Sequence, residues 1–190
     1  FSIVDSHLNG RTRYSLALQT NGTLLTDEWC VFLKEWNVNI GVSLDGPRDL
    51  HNLNRCDRSG RGTFDATMRG VELLRRHDLP FYVICVLHRA SLPRWSDLHD
   101  FFLNNGIEKV CFNVEEIEGI NANSSLAGQS FVAQAEAFFG SYFNLLEKTS
   151  SHWLREYDHS LRALCAKEVT NSMVTPYDML TVDHLGNYST

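Results

Sequence analysis

An α/β fold with parallel strands is predicted by three observations. Short apolar runs recur at 14–18, 39–44, 81–87 and 109–114; each of the first three is followed by apolar residues at helical spacing; and all four end in polar residues. Such beta–alpha repetition implies right-handed crossovers between parallel strands. A barrel and a doubly wound sheet both satisfy it, and in both the functional groups gather where strands end and helices begin.

The first run leads into Gln19-Thr20-Asn21-Gly22. Thr26 then stands where it can N-cap a helix, with Asp27 and Glu28 in the first turn and Trp29, Phe32, Leu33 and Trp36 on one face. The second run ends in Ser43-Leu44-Asp45-Gly46-Pro47, where Asp, Gly and Pro have the chemistry of a turn, and a polar loop carries Arg55 beyond it. Thr63 is placed to cap the next helix, whose Phe64, Met68, Val71 and Leu74 share a face. The third run exits through Leu87-His88-Arg89 into a helix over about 93–105 that buries Trp95, Leu98 and Phe102 and stops at Gly106.

The fourth run ends in Asn113-Val114-Glu115-Glu116, and 120–130 is a small, polar loop. A long helix follows with Phe131, Phe138, Tyr142 and Leu145 on one side, then a second over about 152–167. The closing MLTVDHLGNYST has the pattern of a strand, a turn at Leu185-Gly186-Asn187 and a new strand. Four strands cannot close a barrel, the hairpin is cut short and Phe1 is not a methionine, so an interior piece of a longer protein is expected. Its open strand edges are expected to pair with another chain or to aggregate.

The 190 residues are 43% hydrophobic and 21% charged, which is globular composition. Apolar runs stay well below the ~20 residues of a membrane span, so a soluble, cytoplasmic protein with no membrane partner is expected. The net charge of −6 lacks the basic surplus of a nucleic-acid binder. Five cysteines, Cys30, Cys56, Cys85, Cys111 and Cys165, are widely spaced and form neither a disulfide framework nor a zinc motif, so no metal ligands are assigned.

The strand exits bring together carboxylates (Glu115, Glu116), a hydroxyl (Ser43), amides (Gln19, Asn21, Asn113) and cations (Arg55, His88, Arg89). Adjacent Glu115 and Glu116 would point to opposite faces and so do not make an acid–base dyad. Ser43 lacks the full Gly-x-Ser-x-Gly elbow of a nucleophile. His51, His77, His88 and His99 lack ligand spacing, and most are expected on the surface or on helix faces. No catalytic residue is assigned.

LQTNGTLL (18–25), VSLDGPRDLHNLNRCDRSGRGTFD (42–65), FYVICVLHR (81–89) and VCFNVEEIEG (110–119) fall in this order at successive strand ends, with His51-x-x-x-Arg55 and Gly60-x-Gly62-Thr63-Phe64 spacing. In this the chain resembles the radical S-adenosylmethionine (SAM) enzymes with a C-terminal SPASM extension, such as anaerobic sulfatase-maturating enzymes. NVEEIEGINANSSL and VDHLGNYST look most like the cyclophane-forming maturases of glycine-rich-repeat precursors.

The resemblance, over roughly 12–190, implies a partial (β/α)6 TIM-like barrel carrying its third to sixth strands. On that reading 1–128 is the C-terminal part of the barrel, 129–170 a helical connector and 171–190 the start of a SPASM-like extension with a β-hairpin. It implies a ribosomally made precursor peptide as substrate, crosslinked or oxidised after hydrogen abstraction by a 5'-deoxyadenosyl radical, and a reductase that supplies an electron. S-adenosylmethionine would be bound by Ser43, by Arg55 at its carboxylate and by Glu115 near its adenine. Thr20, Asn21, His88 and Arg89 would face the same cavity of cofactor and substrate. The family's C-x-x-x-C-x-x-C loop for a [4Fe–4S] cluster and its Gly-Gly-Glu segment are not in the sequence, nor is a cysteine in the window 170–176 before Gly186. The chain alone is therefore expected to be inactive. The alternative is a non-catalytic peptide-binding scaffold on the same barrel.

Overall fold

The computed structural model describes residues 6, 14–115, 124–126, 131–165, 181–182, 185 and 187–189. A five-stranded sheet runs β1 (Ala17–Thr20), β2 (Asn39–Ser43), β3 (Phe81–Leu87), β4 (Lys109–Val114) and β5 (Trp153–Leu154), in that spatial order. Every neighbouring pair is parallel. Spatial order equals chain order with no reversal, which is the pattern of a barrel wall; a doubly wound sheet begins in the middle and turns back.

Helices α1 (Asp27–Glu35), α2 (Arg48–Asn54), α3 (Phe64–Arg76), α4 (Trp95–Asn104), α5 (Phe131–Thr149) and α6 (Arg155–Cys165) follow the strands. Thr26 caps α1, its hydroxyl accepting from the Trp29 amide at 3.3 Å. Gly106 takes the positive φ, 59°, that ends the turn after α4. In α3 Thr67, Gly70, Val71 and Leu74 are buried. In α5 the buried residues are Phe138, Tyr142 and Leu146, and Phe112 of β4 packs edge-on against Phe138 and Tyr142. The described residues form two compact units, Phe1–Arg155 and Glu156–Thr190. In the second, β6 (Thr181–Val182) and β7 (Tyr188–Ser189) pair antiparallel with Leu185 in the turn, the hairpin expected from the sequence. No helix among the described residues is long and apolar enough to cross a membrane.

Several elements differ from expectation. β1 starts at Ala17 rather than at 14, and Leu16 just before it already accepts from the backbone and side chain of Asn39. Of the expected face of α1, Leu33 is buried but Trp29 is 51% exposed, and Cys30 joins Leu33 in the core. Trp95 is only half-buried. The stretch after Pro47 is a helix, α2, rather than a loop. Thr63 precedes α3 but does not cap it, since its hydroxyl donates to the Arg55 carbonyl. Trp153–Leu154 is a fifth strand where a helix start was expected, and α6 begins after it. Glu116 and most of 120–130 lie outside the described residues, as does all of 166–180.

Candidate functional site

Residues in register on a parallel ladder share a face, and the face alternates along each strand. Val42 and Val83 are partners, and Cys85 pairs with Phe112, which packs on α5; this is the helix-covered face. The other face carries Gln19 and Gly41, then Ser43, Ile84 and Cys111, then Val86 and Asn113. Continuing the alternation past the strand ends puts Asp45, His88 and Glu115 on it too. One polar row thus crosses the C-terminal rim of β1 to β4.

Ser43 is 5% exposed, and its hydroxyl accepts a hydrogen bond from Gln19 Nε2 at 3.3 Å. Two residues on, Asp45 is 2% exposed. Arg55 grips its carboxylate with both prongs, Nε to Oδ2 at 2.6 Å and Nη2 to Oδ1 at 3.0 Å. Oδ1 also accepts from the Val86 amide at 2.9 Å. The backbone ladder between β2 and β3 ends at the Leu44 amide on the Ile84 carbonyl, so the Asp45 side chain adds the next rung.

His51, fully buried, completes this base. Its Nδ1 accepts from the Asp45 amide at 3.3 Å, which leaves the proton on Nε2 for Thr63 Oγ1 at 3.1 Å. Thr63 passes its own proton to the Arg55 carbonyl at 3.0 Å. Burial pushes the His51 pKa down to about 4, against the pull of Asp45 and with the push of Arg55, so the imidazole is neutral at pH 7.

At the β3 exit the Ser91 hydroxyl accepts from the His88 amide and donates to the His88 carbonyl, fixing the backbone there. His88 is 4% exposed. Its Nε2 is the one buried side-chain polar atom among the described residues without a hydrogen-bond partner. Beside it Glu115 Oε2 accepts from the Ser125 amide and hydroxyl, both at 2.6 Å, and from the Ser124 hydroxyl at 3.2 Å. Burial raises the Glu115 pKa, but these bonds and the nearby His88 outweigh it and hold the carboxyl below its ordinary range. Arg89 holds the same strap, its amide to Ser125 Oγ and Nε to the Ser125 carbonyl.

The structure therefore gathers Ser43, Arg55, His88 and Glu115 on one rim, with Arg89 exposed at its edge. Thr20 is in register with Val42, on the helix-covered face, and its hydroxyl accepts from the Gly22 amide. Asn21 is exposed and its side chain closes the turn onto Thr23. His51 and His99 lie on helices, as expected of most of these histidines, but on buried faces where hydrogen bonds to Thr63 and to Thr149 and Ser151 hold their rings, and His88 is buried at the β3 exit.

Sequence reasoning missed Asp45 as the clamp on Arg55, because aspartate in an Asp-Gly-Pro turn needs no further explanation. It also missed Arg155, which follows the unexpected β5 and donates to the Phe112 carbonyl and Asn113 Oδ1, both at 2.7 Å. Cys30, Cys85 and Cys111 are buried and Cys56 and Cys165 exposed. No group of three or more His, Cys, Asp or Glu among the described residues could hold a metal ion.

The sequence profile of the Radical SAM superfamily matches residues 4–102. An uncharacterized protein of Synechocystis sp. is 35% identical over 92% of this chain and 44% of its own length. A serine-type anaerobic sulfatase-maturating enzyme of Bacteroides thetaiotaomicron is 38% identical over 50% of this chain and 23% of its own. Among solved structures, native anSMEcpe with bound AdoMet and the Cp18Cys peptide superposes with a TM-score of 0.78 at 25% identity, over 90% of this chain and 48% of that one. The chain spans less than half the length of each.

Proposed function

The chain belongs to the radical SAM superfamily, and from that premise we propose that it is a segment of a maturase that modifies a ribosomally made precursor peptide. The observation that carries this is the row of Ser43, Arg55, His88 and Glu115 across the strand ends, on a barrel wall like that of anSMEcpe, which binds AdoMet and a peptide. A buried hydroxyl, a fixed guanidinium and an unpartnered buried imidazole nitrogen suit a ligand that is at once nucleoside and amino acid, as S-adenosylmethionine is.

Bound beside a [4Fe–4S] cluster, that cofactor supplies a 5'-deoxyadenosyl radical able to abstract hydrogen from an unactivated C–H bond. The described cysteines are scattered and do not fit such a cluster, so its ligands are not among them and a reductase would deliver its electron elsewhere. What this chain contributes is binding and orientation. Ser43 holds the ribose or amino-acid part, Arg55 offers Nη1, the nitrogen of its fork not bonded to Asp45, to the carboxylate, and Glu115 borders the adenine. The peptide lies above the rim, where it is crosslinked or oxidised.

The test is anaerobic reconstitution of the full-length protein. We expect [4Fe–4S] absorption and 5'-deoxyadenosine after reduction with S-adenosylmethionine, and no 5'-deoxyadenosine from residues 1–190 alone. A full-length protein giving neither signal would remove the reading.

A further inference from the structure

We propose that His88 is a binding residue for the nucleoside half of the cofactor, through Nε2. The inference rests on the S-adenosylmethionine reading of the rim and adds a contact to it. Neighbouring strands lie about 4.8 Å apart, so a ligand reaching from Ser43 at the β2 exit to Glu115 at the β4 exit spans roughly 10 Å and must cross the exit of β3. His88 stands at that crossing, in line with Glu115 by register.

Three features make the imidazole a built contact rather than a packing residue. It is 4% exposed, yet Nε2 has no hydrogen-bond partner among the described residues. Leaving a buried nitrogen so is unfavourable unless something else bonds it, and ordinary folds leave very few such atoms. The backbone is held by two reciprocal bonds with Ser91, 2.9 and 2.8 Å, so the ring is presented from a fixed point. Finally, its neighbour Glu115 already takes three hydrogen bonds from Ser124 and Ser125 on the one oxygen, Oε2. That oxygen is thus committed to the 124–125 strap rather than to His88. A ribose hydroxyl, able to donate or accept, or a purine ring nitrogen, able to accept from a protonated Nε2, meets it without burying a new charge.

The experiment is isothermal titration of the anaerobic full-length holoenzyme with S-adenosylhomocysteine, 5'-methylthioadenosine and methionine, which bind without turnover. His88→Ala should weaken S-adenosylhomocysteine and 5'-methylthioadenosine about tenfold, the loss of one well-placed hydrogen bond, and leave methionine unchanged. His88→Gln, whose amide nitrogen reaches the place of Nε2, should recover most of that affinity, and thermal melts of both variants establish that they fold. Unchanged nucleoside affinity in a folded His88→Ala overturns the proposal while the cofactor reading stands. Equal weakening of methionine places the contact on the amino-acid half and also overturns it. A wild-type holoenzyme that binds neither S-adenosylhomocysteine nor S-adenosylmethionine removes both.

Discussion

Asp45 shows how one side chain can serve the fold and the site together. Its carboxylate is buried, closes a fork with Arg55 and extends the β2–β3 ladder to Val86. Removing its charge while keeping its shape leaves Arg55, whose side chain is 24% exposed, partly buried and facing a neutral amide. Asp45→Asn should therefore lower stability by about 2–3 kcal/mol, below the full cost of breaking a deeply buried pair. The urea midpoint measures this, and an unshifted midpoint would refute the clamp. The same geometry changes the expectation for Arg55. The resemblance alone makes it a ligand contact; held as it is, Arg55→Ala should reduce both S-adenosylmethionine affinity and the urea midpoint.

Among the elements, α3 depends most on a single missing atom. A Cβ on Gly70 would fall 2.2 Å from the carbonyl oxygen of Gly22, whose own φ of 73° shapes the β1 exit turn. One turn earlier on the same face, Thr67 Oγ1 donates to the Asn21 carbonyl at 2.9 Å. The helix thus docks on that turn through a hydroxyl and a glycine three residues apart. Alanine is the better helix former by about 1 kcal/mol, yet Gly70→Ala should destabilise by about 1–3 kcal/mol because backbone must move. A melting temperature equal to or above wild type would contradict the contact.

The strands that bracket this docking were legible in the sequence because β1 to β4 are apolar runs ending in polar residues. β5 was not, since two residues, Trp153 and Leu154, carry no period of their own and merge with the helical pattern after them. The helix α2 was hidden by the turn chemistry of Asp45-Gly46-Pro47. Site residues were legible as types at strand ends; their partners, such as Asp45 for Arg55 or Ser125 for Glu115, are set by tertiary closure and leave no local trace.

At the largest scale β1 to β5 form one five-stranded parallel sheet with β1 and β5 at its two ends. Among the described residues β1 pairs only with β2, and Tyr14 nearby is 39% exposed. Residues 1–190 by themselves should self-associate, with apparent mass rising over a tenfold range of loading concentration in light scattering. A constant monomeric mass would show that the edge is protected.

The double hold on Arg55 has one more consequence, best put in terms of disorder. A free arginine side chain carries about 2 kcal/mol of rotamer entropy, which a binding event must normally remove. Here Asp45 fixes the guanidinium while the Thr63 amide and hydroxyl fix the carbonyl of the same residue, each at 3.0 Å. That freedom is surrendered when the chain folds. A carboxylate arriving at Nη1 meets a donor already immobile, and the entropy that a flexible arginine would still have to lose does not weaken its binding.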